Sequence, residues 1–171
     1  MNGFPSPTEY APYYFTYIGL VPADTDIRSF LNTQEKSLFS FFKNIPSEKH
    51  DYRYAEGKWS VKEVVGHILD TERIMAYRAL RVGRGDTTPI EGFEQDDYVP
   101  AGKFAARKWE DLLHEFSTVR QSTLSLVNTM PDEAFTQMGT ANGKPVSCRA
   151  LFYIIAGHAL YHRQILEQKY L

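Results

Sequence analysis

Four stretches of this 171-residue chain repeat their apolar residues at the three-to-four spacing of an amphipathic helix, and the breaks between them are clearly punctuated. In TDIRSFLNTQEKSLFSFFKNIP, Ile27, Phe30, Leu31, Leu38, Phe41, Phe42 and Ile45 fall mainly on one face, with Asp24 to Asp26 as cap candidates and Pro46 as the stop. WSVKEVVGHILDTERIMAYRALRVGRG opens with Ser60 and Glu63 at capping-box spacing, turns Val61, Val64, Val65, Ile68, Met75 and Ala79 inward, and runs out at Gly83. ARKWEDLLHEFSTVRQSTLSLVNTMP carries Trp109, Leu112, Leu113, Phe116, Val119, Leu124 and Val127 along one stripe before Pro131. SCRALFYIIAGHALYHRQILEQKYL has Ser147 as its N-cap and aligns Leu151, Ile154, Ile155, His158, His162 and Ile165.

The linkers complete the outline. From Gly83 to about Lys103 the chain is rich in Gly, Pro and Asp and has no period, a length associated with functional loops, so it crosses from the second helix to the third. In FTQMGTANGKPV, Asn142 and Gly143 sit between β-tolerant pieces and predict a tight hairpin. The expected fold is all-α: one domain over residues 1–171, a four-helix bundle with a long crossover between helices two and three and an N-terminal aromatic segment packed outside it. The length suffices for a substantial core without disulfides.

Charge and composition narrow the function. A net charge of -2 offers no electrostatic reason to approach nucleic acid, and the densest basic cluster, Arg73, Arg78, Arg81 and Arg84, is interspersed with acids and reads as a solvated helix flank. No apolar run is long enough to span a bilayer, and the N-terminus lacks the pattern of a signal peptide, so the expectation is a cytoplasmic protein without a membrane partner. Cys148 is the only cysteine, which excludes an internal disulfide and a multi-cysteine metal site within one chain.

Against this background the histidines of AGHALYHRQIL stand out, because two of them occupy a face that should be apolar. Helix positions i and i+4 lie about 5–6 Å apart at Cβ, so His158 and His162 can both address one ion. The same spacing also suits core histidines that each meet a carbonyl or hydroxyl. His67, on the flank of the second helix's apolar stripe near Val64 and Thr71, is the candidate third ligand. Three protein ligands would leave a coordination position for water or substrate, the pattern of a catalytic site rather than a closed structural one. His50, in a polar linker, and His114, with no second histidine at ligand spacing, read as ordinary surface or half-buried residues.

WSVKEVVGHILDTER, residues 59 to 73, and AGHALYHRQIL, residues 156 to 166, together resemble the DinB-like proteins, also called the DinB/YfiT-like metalloenzyme superfamily. EYAPYYFTYIGLVP, YRALRVGRGD, GFEQDDYV and QKYL extend the resemblance over nearly the whole chain. The resemblance implies a four-helix bundle, often a homodimer, that holds a divalent ion, nickel or zinc, on three histidines. At the matching positions these are His67, His158 and His162. The family is distinct from the DNA polymerase that shares the DinB label, and includes thiol S-transferases that use low-molecular-weight thiols such as bacillithiol, and metal-dependent isomerases.

The expected function is therefore a metal-dependent transferase that activates a low-molecular-weight thiol toward an electrophilic small molecule. A hydrolase using a metal-bound hydroxide is the second reading, and a non-catalytic, stress-responsive binding protein the third. Glu63 and Asp70, each about one turn from His67, are candidates to orient a ligand or handle a proton, although Glu63 also suits the helix cap and Asp70 a pairing with Arg73. Asp96 and Asp97 beside Tyr98 suit either a cover for the site mouth or a solvated turn. Tyr10, Tyr13, Tyr14, Phe15 and Tyr17 suit a pocket wall or, more commonly, packing across a helix groove. Arg120, on an otherwise apolar helix, suits an anionic substrate or a buried carboxylate. For Cys148 a helix dipole would lower the thiol pKa, but an inert core role is the better reading.

Overall fold

The computed structural model describes residues 3–171. The four expected helices form α2 (Ile27–Lys43), α3 (Val61–Gly83), α5 (Trp109–Thr129) and α6 (Cys148–Lys169), preceded by a single-turn α1 (Phe15–Ile18). Caps select where they start. Asp26 accepts from the Ser29 amide at α2, Ser60 and Glu63 close a reciprocal capping box at α3, and Ser147 accepts from the Ala150 amide at α6. Between α6 and α5 lies the expected hairpin, β1 (Met138–Ala141) and β2 (Lys144–Ser147), antiparallel, with both turn residues left-handed at φ 50° for Asn142 and 67° for Gly143.

The crossover departs from the sequence reading, because it contains an eight-residue helix, α4 (Gln95–Gly102). Its composition hides it: Pro100 lies inside, and only Val99 is buried to give an inward face. Glu94 caps the helix through the Asp96 amide. Ahead of α4, Ile90 bridges to the hairpin, donating to the Thr140 carbonyl and accepting from the Asn142 amide, each at 2.9 Å.

Helix α2 packs on α5 and α6, and α3 packs on the same two, which places α2 and α3 at opposite corners of the bundle. The core divides into two apolar clusters, with polar residues between them on all four helices. On α2 Gln34 separates Leu31 from Leu38, and on α3 Thr71 and Glu72 separate Leu69 from Met75. On α5 Arg120 and Thr123 separate Val119 from Leu124, and on α6 His158 lies between Ala156 and Ala159.

A closed network satisfies much of that layer. Arg120, fully buried, donates from Nε and Nη2 to both Glu72 carboxylate oxygens at 2.8 and 2.9 Å and from Nη1 to Gln34 Oε1 at 2.8 Å. Gln34 Nε2 in turn donates to the Ala156 carbonyl at 2.8 Å. One chain of hydrogen bonds thus links all four bundle helices and ends two residues before His158. Of the alternatives open for Arg120, the structure contains the buried carboxylate.

The N-terminal aromatic segment packs outside the bundle through a close backbone approach. A Cβ on Gly157 would lie 2.0 Å from the Tyr17 carbonyl oxygen, so α1 rests directly on α6 one residue before His158. Gly157→Ala is expected to force α1 away and destabilise the fold by about 1–3 kcal/mol, since the obstructing atoms are backbone. Urea denaturation tests it, and an unchanged midpoint would contradict the contact.

Candidate metal centre

His67 enters the site from the second turn of α3, and His158 and His162 enter from successive turns of α6, the helix with which α3 packs most extensively. Their ring centroids form a near-equilateral triangle, with 4.8 Å from His67 to each partner and 4.4 Å between His158 and His162. Nε2 of His67 lies 2.9 Å from Nε2 of His158, and one ligand nitrogen from each ring falls within 4.8 Å of the others. Nitrogens at ~2.0–2.1 Å from a shared tetrahedral ion are about 3.3 Å apart, a value inside that range. Among the described residues this is the one cluster of three His, Cys, Asp or Glu side chains with such geometry.

The surroundings keep the rings neutral. His67 and His158 are each 4% exposed, and His162 is partly buried. Trp59 lies against His67 at 4.8 Å between centroids, Tyr17 against His158 at 5.1 Å and Tyr161 against His162 at 5.3 Å. Burial lowers the His67 pKa to about 4; burial and the neighbouring His67 lower that of His162 to about 3, and burial with both His162 and His67 lowers that of His158. Neutral imidazole is the form that binds a cation, so three such nitrogens within 4.8 Å of one another could hold a metal ion.

Two separate cavities adjoin the triad. His67 and His158 help line one of about 270 Å³, walled by Tyr13, Tyr14 and Tyr17 and by Thr71, Met75 and Arg78 of α3. His162 lines another of about 570 Å³ with Tyr54, Trp59, Tyr161 and Tyr170. The start of α4 reaches both, with Glu94 and Gln95 in the first cavity and Asp96 in the second. Asp97 and Tyr98 face solvent.

The two carboxylates considered beside His67 are occupied elsewhere. Glu63 accepts from the Ser60 amide at 2.7 Å and pairs with Arg53; burial opposes ionisation there, yet these partners hold the carboxyl below its ordinary value. Asp70 is raised by burial and has Arg73 at 3.9 Å, on the edge of a group in which Arg73 and Arg107 converge on Glu115. Among the described residues neither carboxylate hydrogen-bonds to an imidazole. His50 stacks on Trp109 and meets the Ile45 carbonyl, while His114 is exposed. Cys148 is buried, its thiol pushed up to about 12, so desolvation outweighs the helix dipole.

The basic cluster needs a correction. Arg73, Arg81 and Arg84 are at the surface, but Arg78 is only 2% exposed and points inward from the same stretch. Its position three residues after Met75 was the available signal, masked by the surrounding charges. Trp59 and Tyr161 lie inside the two quoted motifs, beside the triad, and the sequence reading assigns them no role.

The fold and site together define a four-helix bundle with a long crossover between α3 and α5 and a histidine triad, between α3 and α6, that could hold a metal ion. The family model of the DinB superfamily matches residues 31–166, and the chain belongs to that superfamily. Among solved structures it is similar to YfiT from Bacillus subtilis, described as a probable metal-dependent hydrolase with an unusual four-helix bundle topology. The two share 14% identity and a TM-score of 0.73 over 86% of this chain and 90% of that one. It is also similar to the DinB-like protein YjoA from Bacillus subtilis, at 20% identity and a TM-score of 0.60 over 84% and 87% of the two chains. The mycothiol-dependent maleylpyruvate isomerase matches at 10% identity and a TM-score of 0.69, over 86% of this chain and 61% of that one. No curated protein sequence matches. No described helix is long and apolar enough to cross a membrane.

Proposed function

We propose that His67, His158 and His162 hold a divalent ion, zinc or nickel, and that the chain transfers a low-molecular-weight thiol to a small electrophile. The observation that carries this reading is the position of the triad: three neutral imidazoles converge where two cavities with no lining residue in common meet different members of the set. Two cavities suit two organic reactants, whereas hydrolysis needs only one besides water. A bound divalent ion supplies a Lewis acid that favours the thiolate of a thiol sharing it.

The chain's own residues prepare that chemistry. Trp59, Tyr17 and Tyr161 shield the imidazoles from water, which strengthens electrostatic interactions inside. In the reaction the thiol releases its proton to solvent and its sulfur lone pair forms the S–C bond. The electrophile either expels a leaving group with its bonding pair or, at an activated double bond, takes a proton at the adjacent carbon.

The test loads the protein with zinc or nickel and assays bacillithiol, glutathione and related thiols against a panel of electrophiles. Saturable, thiol-dependent turnover that disappears in His67→Ala and His162→Ala is expected; turnover that survives both substitutions overturns the reading. Hydrolysis, favoured by the description of YfiT, would be recognised by ester or amide cleavage that needs no thiol. A purified chain that takes up no divalent ion at stoichiometric level would leave only a binding role.

A further inference from the structure

The structure contains two arginines buried in the bundle, and they are treated differently. Arg120 has its charge matched inside the fold by the bidentate Glu72 carboxylate. Arg78 has no such match: among the described residues it forms no ion pair, and its guanidinium meets only uncharged groups, the Glu91 carbonyl at 2.8 Å from Nη2, Met75 Sδ at 3.8 Å from Nη1 and the Tyr14 phenol. Its Nε is buried with no hydrogen-bond partner, and so is Thr71 Oγ1, 4% exposed, on the same helix. Leaving a guanidinium unneutralised in a low-dielectric site is costly, so an arrangement of this kind calls for an anion from outside the chain.

Both groups line the cavity that also contains His67 and His158. His67, Thr71, Met75 and Arg78 follow one another at intervals of four, four and three along one face of α3. Thr71 stands ~6 Å along the axis from His67 and Arg78 ~16 Å, but the arginine reaches back toward the helix N-terminus as far as Met75. The gap left between guanidinium and imidazole suits a molecule of a few carbon atoms, in keeping with a volume of about 270 Å³. Phe93 lies over the guanidinium at 5.7 Å, and the Tyr14 phenol is close enough to feel its charge. The acidic group on this cavity's wall, Glu94, is exposed and accepts from the Asp96 amide.

We propose that this cavity binds the carboxylate of a small substrate through Arg78 and Thr71, so that the electrophile is a carboxylic acid whose reactive end faces His67 and His158. One guanidinium and one hydroxyl match a planar monoanion rather than a phosphate dianion. The acid's role as electrophile, through its reactive end, rests on the transferase reading; the binding of its carboxylate does not.

The experiment titrates propionate and benzoate, with propionamide and benzamide as uncharged counterparts, into the full-length chain, both zinc-loaded and after chelation, and follows binding by NMR. The wild type is expected to bind the acids at least about tenfold more tightly than the amides in both forms, and Arg78→Met to remove that preference while retaining zinc at wild-type stoichiometry. Thr71→Val, nearly isosteric, should reduce it severalfold, and it decides the matter together with the wild-type comparison should Arg78→Met fail to fold. No preference for acids in the wild type overturns the proposal, as does a preference confined to the zinc form that persists in Arg78→Met, since the ion would then be the partner. Failure of the wild type to take up zinc would count against the transferase reading alone, because the titration of the chelated protein still reports on Arg78.

Discussion

His158→Ala is expected to lower divalent-ion affinity by more than about a hundredfold, measured by competition with a chromogenic chelator. Loss of a residue that merely supports a ligand already weakens binding 10–100-fold, and His158 lies at the buried end of the triad, 2.9 Å from His67. The metal-free fold should respond in its pH dependence. The unfolded chain takes up protons on its histidines near pH 6.5, whereas burial holds the folded His67 near 4 and His162 near 3. Below pH 6.5 the unfolded state therefore binds more protons, so stability is full above that pH and falls as the pH drops toward 4 and then 3. Each imidazole contributes about 1.4 kcal/mol per pH unit at most. His158→Ala should flatten the decline and divalent ion should delay it; equal slopes for wild type and variant in chelator would show that these rings are not held neutral by the fold.

The second large effect concerns the polar layer. Arg120→Met leaves the Glu72 carboxylate, 3% exposed, without its partner and is expected to destabilise the protein by about 3–5 kcal/mol in urea denaturation. The double variant Arg120→Met/Glu72→Met should recover a substantial part of that loss, because no charge is then left stranded. Strict additivity of the two single changes would refute the coupling. Gln34→Leu should cost less, since it removes a neutral bridge, although it also takes the acceptor from Arg120 Nη1.

The parts of this molecule that were legible in its sequence are those governed by local chemistry. Asp26, Ser60 and Ser147 cap the helices they were expected to cap, and the Asn142–Gly143 turn forms because both residues accept positive φ. The spacing of His158 and His162 places them together by helix geometry alone, whereas His67, a candidate from its place on the flank of its helix's apolar stripe and again from the resemblance, joins them only through the packing of α3 on α6. Helix α4 was hidden because it has one buried anchor and an internal proline. Arg78 was hidden because charge density along the chain does not reveal which single side chain turns inward. Tyr17 was ambiguous because an aromatic run without a period does not say which ring meets which helix.

The opening turn of α4 forms part of the wall of both cavities, and one hairpin bridge at Ile90 tethers the segment that leads into it. A single short lever therefore borders two chambers. Because Glu94, Gln95 and Asp96 are consecutive, a guest that displaced either of the first two would carry Asp96 with it, so the shape of one chamber would depend on whether the other is filled.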